Sequence, residues 1–439
     1  MSFRNRNKGL VLAMEEADTT VAPEVQMDPQ LPAEVEQASQ EVAEQATEIE
    51  ELNTAVEEAE ADAETLGEIQ ETLAETVDSG EGVDATTAEI AEIAVEAICA
   101  RLGIRMTGSA LPAMESFGSK SSRLTATRVA VESIGEKIKA IWEAIKKGFL
   151  LVWQKIKDFF AKFFNNSEKV KKMAEALKTK VEGKAKAKPK AGKIKFSGAG
   201  ALNVDGKVDM TSLETILGNH DNMTAQQLAS VDAIGKAVDV LDGMVKGAAD
   251  DEAKGKLEKA AKAVLETVSK GGGASVAEVS GSFVSKVGPF VGGDTLEMAF
   301  TPAESKFTLQ TVAASKPAPA EFEALAPNQA LTACDLVIAL MTKTNDFKKQ
   351  QGKIEALNKS MVDLVNAALK VADKAADMGE KSAAVKEGLS VARKAVTSLN
   401  SFSSRLVTLT PAMNVRAGKA ALNFVSASLA SYEEEKAAA

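Results

Sequence analysis

Positions Leu31, Val35, Ala38, Val42, Gln45, Ile49, Leu52, Val56, Ala59, Ala63, Leu66, Gln70, Leu73 and Val77 follow one another in alternating steps of four and three. That spacing predicts a coiled coil or long amphipathic helix over 31–77, roughly 70 Å long at ~1.5 Å per residue. DSGEGVDATT (78–87) interrupts the pattern, and AEIAEIAVEAICARL predicts a short second helix. A stronger stripe runs through 130–164: Val131, Ile134, Ile138, Ile141, Trp142, Ile145, Phe149, Val152, Trp153, Ile156, Phe159, Phe160, Phe163 and Phe164 fall at helical spacing. Lys137, Lys146, Lys147, Lys155 and Lys162 lie mainly elsewhere on the wheel. Ser133 and Glu136 can form a capping box, and Asn165-Asn166 is the expected stop. SEKVKKMAEALKTKV predicts a further short helix, and KAKAKPKAGK a basic linker.

Beyond Lys193 the period changes. IKF (194–196) begins a two-residue alternation, and NVDGKV carries a DG dipeptide suited to a hairpin. TLEMAF (295–300) and KFTLQTV (306–312) alternate on either side of TPAES, a second hairpin. Residues 223–270 read as helix on both sides of GAADDEA, ending at GGGAS, and KPAPAEFEALAP (316–327) reads as a linker. Helical spacing returns at Leu336–Met341, at Ile354, Leu357, Met361, Leu364, Val365, Ala368 and Val371, and over 385–399 and 420–430. The predicted fold is mainly α with a small α+β middle unit. A long acidic N-terminal helix or coiled coil (31–77, within a leader 1–115) precedes a basic amphipathic helix and Lys-rich linker (116–192). The α+β unit (193–315) and a C-terminal helical bundle (316–439) follow.

Charge changes this picture most. The formal net charge of −11 conceals a leader, residues 1–115, with 5 Lys or Arg against 27 Asp or Glu. Residues 116–195 hold 21 basic against 7 acidic side chains, and no basic residue lies between Lys8 and Arg101. A helix with fourteen Glu and one Asp over 31–77 cannot pair along itself; a basic helix is its more comfortable partner, or the leader is an acidic disordered tail. The aromatic stripe of 130–164 admits three readings: a core-facing helix, a membrane-active helix with a cationic face, or a helix that docks a partner. Trp142, Phe149, Trp153, Phe159, Phe160, Phe163 and Phe164 are its docking residues in the last two. Lys169, Lys171, Lys172, Lys178, Lys180, Lys184, Lys186, Lys188, Lys190, Lys193 and Lys195 suit non-specific phosphate contact, or else are a solvated linker.

Candidate chemistry is sparse. ALNVDGKVDMTS places Asn203, Asp205, Gly206 and Asp209 like a calcium loop, but Ala201 and Ser212 stand where its first and twelfth ligands belong. His220, the single histidine, reads as a turn or helix-end residue, and with two distant cysteines makes no zinc site. No phosphate-loop or dinucleotide fingerprint occurs, so neither a metal, a cofactor nor an enzymatic activity is expected. Cys99 and Cys334 cannot form a disulfide framework, which suits a reducing compartment. The apolar stretch Leu10–Met14 is too short for a signal peptide and no apolar run approaches the ~20 residues of a membrane span. The expectation is a soluble protein made inside the cell.

The sign reverses at ALPAMESFGSKSSR (110–123), in a loop-like setting between Pro112 and Gly118. Together with SSRLTATRVAVESIGEKIKAIWEAIKKGF, this stretch resembles the maturation region of internal head, or core, proteins of large tailed bacteriophages. The resemblance covers roughly residues 110–165 and implies cutting by a prohead protease after Glu in a short motif with a small or aliphatic residue two positions earlier. Ala113-Met114-Glu115 fits, with Ser116 as the new N-terminus, and Ala13-Met14-Glu15 fits as an earlier cut. Ala55-Val56-Glu57, Ala94-Val95-Glu96 and Ala130-Val131-Glu132 also fit, but only Glu115 sits at the charge boundary. What the resemblance implies is a virion structural protein, assembled in the host cytoplasm and packaged inside the head with DNA. Its implied partners are the prohead protease, DNA and other head or core proteins. Two alternatives stand beside it: a prohead scaffolding protein with incidental DNA contact, and a membrane-active ejection protein or toxin silenced by its acidic leader.

Overall fold

The computed structural model describes residues 30–104, 111–189, 193–247, 251–314, 316–375 and 382–432. Eight α-helices dominate these residues: α1 Gln30–Asp78, α2 Ala85–Arg101, α3 Lys120–Glu182, α4 Met210–Lys246, α5 Asp251–Ser269, α6 Pro327–Asp346, α7 Gln351–Ala375 and α8 Ser382–Ala430. The fold is mainly α with a small sheet region in the middle, as the periodicity predicts. The heptad positions Val35, Ala38, Val42, Ile49, Val56, Ala59, Ala63, Leu66 and Leu73 are all buried. Burying each larger member contributes about 1.5–3 kcal/mol, which is why this acidic segment holds one continuous helix.

Helix α3 is longer than its aromatic stripe. It starts at a capping box in which Ser122 N–H donates to Ser119 Oγ and Ser119 N–H donates to Ser122 Oγ, so Ser133 and Glu136 lie inside the helix rather than at its start. Asn165-Asn166 does not stop it either. Asn166 is buried and its Nδ2 donates to the Ala38 carbonyl of α1 at 3.2 Å, and that tertiary bond replaces the local one by which Asn ends helices. The short helix expected from SEKVKK onward is the last quarter of α3.

Strands β2 (Ala277–Val279), β3 (Ser282–Val287), β4 (Thr295–Thr301) and β5 (Lys306–Val312) form an antiparallel meander. The hairpin expected across TPAES is the β4–β5 pair, with Met298 opposite Leu309. Leu296, Met298 and Phe300 alternate inward with Phe307 and Leu309, and Phe307 meets Phe402 of α8 at 5.9 Å between ring centroids. NVDGKV makes a one-bridge turn, Val204 to Lys207, with Asp205 and Gly206 at positive φ. The segment read as a linker is pinned. Its β6 (Phe322–Glu323) pairs with β1 (Lys193–Ile194), Leu325 N–H donates to Ser428 Oγ and Tyr432 OH donates to the Leu325 carbonyl.

Helix α8 corrects the C-terminal reading. The sequence suggests separate helices over 385–399 and 420–430; one helix spans both and the Ser/Thr-rich, Pro411-containing stretch between them. That stretch is buried around most of its circumference. Its hydroxyls are accommodated by bonding back to the helix, Thr408 to the Ser404 carbonyl at 2.7 Å and Ser404 to that of Ser401 at 3.0 Å. α1, α3, α4, α6, α7 and β5 surround α8, so the middle unit and the C-terminal helices share one core. His220 is a second correction: it lies within α4, fully buried against the Phe290 ring (centroids 5.1 Å apart). Burial pushes its pKa down to about 4.

Candidate functional site

The acidic leader makes the most extensive helix–helix contact in the molecule, α1 against α3. Three bonds fix the direction: Asn166 to the Ala38 carbonyl, Lys155 Nζ to Glu48 Oε2 at 2.6 Å, and Gln70 Nε2 to the Val131 carbonyl at 2.9 Å. The two helices therefore run antiparallel. Two glycines of α3 let α1 approach closely. A Cβ at Gly148 would stand 2.5 Å from Val56 Cγ2, and one at Gly135 would stand 2.8 Å from Gln70 Nε2.

The carboxylates on a second side of α1 meet α8. Lys419 Nζ lies 2.5 Å from Glu36 Oε2. Arg405 forks onto Glu50, with Nη2 2.6 Å from Oε1 and Nε 2.7 Å from Oε2, and its Nη1 is 3.6 Å from Glu57 Oε1. Lys394 pairs with Glu64. The expected basic-helix partner is thus divided: α3 supplies the apolar seam and Lys155 and α8 supplies Lys394, Arg405 and Lys419, while Asp62 of α1 pairs with Arg101 of α2, within the leader itself. No local sequence signal marked Lys394, Arg405 and Lys419. The pointer was the leader helix itself, which carries no Lys or Arg over 31–77. Glu60, half-buried on α1, is pushed up to about 7, first by burial, then by neighbouring Glu64; Lys394 and Lys306 oppose the shift.

The aromatic stripe faces the interior. Trp142, Phe149, Trp153, Phe159, Phe160 and Phe163 are buried, and Phe164 is half-buried between Phe160 and the Lys348 ammonium. As a membrane- or partner-docking surface these residues are already occupied, because α1, α7 and α8 pack around α3. Arg393 of α8 stacks on Trp142, its Cζ 4.9 Å from the ring centroid.

The lysine run lies beyond the stretch of α3 that α1 bonds. Lys178 pairs with Asp335 at 2.8 Å and Lys195 with Glu321 at 3.7 Å, which takes both from the set expected to meet phosphate. Lys180 is also engaged. Lys169 and Lys171 are half-buried. Lys172, Lys184, Lys186, Lys188 and Lys193 make no ion pair among the described residues, and only Lys184 of these is as much as half-buried. Lys190 lies outside the described residues, as do Ala13, Met14 and Glu15.

Between α2 and α3, Met114–Phe117 form a single 3₁₀ turn, with Ser116 N–H donating to the Ala113 carbonyl at 2.8 Å. Ala113 and Glu115 are exposed, Met114 and Ser116 half-buried, and the turn is anchored by buried Leu111 and Phe117. The competing triplets at Glu57, Glu96 and Glu132 all lie inside α1, α2 and α3. Calcium-loop candidates are used locally: Asn203 Oδ1 accepts from Gly206 N–H, and Asp209 caps α4 by accepting from Ser212 N–H. Among the described residues no three His, Cys, Asp or Glu side chains gather as a metal site, and no helix is long and apolar enough to cross a membrane.

The family model described as phiKZ-like phage internal head proteins matches residues 32–427, leader and body alike. No curated protein and no solved structure matches the chain.

Proposed function

This chain belongs to the phiKZ-like phage internal head proteins and resides inside the head of the virion, and we propose that it serves there as a structural, non-catalytic protein matured by cutting after Glu115. The observation that carries this reading is the position of Ala113-Met114-Glu115. Of the triplets named above that lie within the described residues it alone lies outside an α-helix, and it sits where the chain's charge reverses. A protease needs backbone it can draw into an extended form, and short exposed turns yield more readily than helices held by packing. The prohead protease would hydrolyse the Glu115–Ser116 bond, leaving a +11 body from a −11 chain.

Packaged DNA is the polyanion that body would meet, through the exposed lysines from Lys172 to Lys193. Phosphate contacts of this kind need charge and reach rather than a shaped pocket. A scaffolding role draws on a different observation. Ile90 and Ile93 of α2 stand 65% and 61% exposed on the leader, an apolar pair placed for another core component during assembly. The membrane-active alternative requires α3 to abandon its packing.

Mass spectrometry of the protein from purified particles tests the maturation reading. A terminus at Ser116 is expected; an intact chain in mature heads would refute it.

A further inference from the structure

We propose that the groove between α3 and α8 is a binding site for an acidic amphipathic helix, and that it retains the leader after the chain is cut. The inference rests on the maturation reading only for the occasion of the cut. It concerns what happens next.

None of the contacts that seat α1 depends on the turn at Met114–Phe117. The apolar seam, with Val42, Ile49, Val56, Leu66 and Leu73 buried, is side chain against side chain. Lys394, Arg405 and Lys419 lie along one antiparallel ladder opposite Glu64, Glu57 with Glu50, and Glu36. Along α8 this ladder spans 25 residues, roughly 37 Å of helix. Arg405 and Lys419 have side chains only 18% and 17% exposed. A cation so covered is costly to leave without its partner, so the site selects carboxylates at these positions and not merely any apolar helix.

The shape of α3 agrees. Glycine inside a helix is unfavourable by about 1 kcal/mol relative to alanine, yet Gly148 and Gly135 stand where side chains would strike Val56 and Gln70. The close approach of α1 explains Gly148, whereas the flexible end of Gln70 could turn aside from a Cβ at Gly135. Hydrolysis at Glu115 therefore changes the connectivity of the chain and leaves the groove filled. Unmasking becomes a two-step event: the cut makes release possible, and a later displacement or shortening of α1 accomplishes it.

The test uses the full chain with a site-specific protease sequence inserted between Glu115 and Ser116. After complete cutting, the protein is diluted to micromolar concentration in 0.15 M salt and passed over a sizing column. Leader and body are expected to elute together, and a leader that elutes alone overturns the proposal. Replacing Glu50→Gln and Glu57→Gln leaves the body untouched and should raise the leader's dissociation constant at least tenfold in a dilution series. An unchanged constant would refute selection by charge. A Ser116 terminus in particles together with a freely released leader would keep the maturation reading and sink this one.

Discussion

Glu60 shows how one side chain can weaken the contact it helps to build. Its folded pKa of about 7 lies above the ordinary 4.5, so the folded chain holds a proton that the unfolded chain releases between those values. Stability from this group is present at low pH and is lost as pH rises from 4.5 through 7. Glu60→Gln should therefore stabilise the chain at pH 8 by up to about 3 kcal/mol and change little at pH 5. Denaturant melts at the two pH values decide it, and equal effects at both would reject the assignment. The heptad made Glu60 a surface residue of an acidic helix. Its half-buried place, with Lys394 of α8 among its charged neighbours, is a tertiary outcome that no local pattern reveals.

At the scale of elements, the α1–α3 seam is the contact most open to a decisive substitution. Gly148→Ala adds helix propensity but drives a Cβ against Val56, and overpacking of this kind typically costs about 1–3 kcal/mol. Gly148→Ala should thus destabilise the chain, and Val56→Ala in the same molecule should recover part of the loss. A double-mutant cycle measures that coupling directly; strictly additive effects would mean that the two residues do not touch. Legibility also differed between elements. α1, the α3 stripe and the β4–β5 hairpin were evident because each keeps its apolar side chains on one face and leaves another polar, and a single period then records the burial. α8 was read as two helices because neighbours on nearly every side erase its period, and its serines and threonines imitate a loop. The stop expected at Asn165-Asn166 and the linker expected over 316–327 failed for the same reason: tertiary partners took the groups that would otherwise terminate or loosen the chain.

On the scale of the whole molecule the opposed charges act beyond any one pair. The leader's −22 and the remaining +11 are separated along the chain but interlocked in space. Exposed lysines near the end of α3 lie outside the interlocked region, so the proposed DNA contact would draw on cations other than those that seat the leader. Replacing Lys184, Lys186, Lys188 and Lys193 by Gln should leave stability unchanged and lower the magnitude of the salt slope of DNA binding by about 3 to 4, at ~0.9 per lost phosphate contact. An unaltered slope would place DNA contact elsewhere or nowhere. The candidate cut was legible from its motif, and the charge boundary already ranked Glu115 above the competing triplets. The structure adds a second distinction, because Glu57, Glu96 and Glu132 lie inside helices.

By itself the sequence determined the helical class, the two-sided character of the leader and the place where charge reverses, because period and charge are properties of neighbours along the chain. Only the tertiary structure decided that the leader lies in a groove of two helices rather than against one, and that Arg405, Lys394 and Lys419 answer its carboxylates. It also decided that the aromatic stripe is interior. Those outcomes depend on which distant surfaces exclude water from one another, and a one-dimensional pattern states how much surface must be covered without naming what covers it.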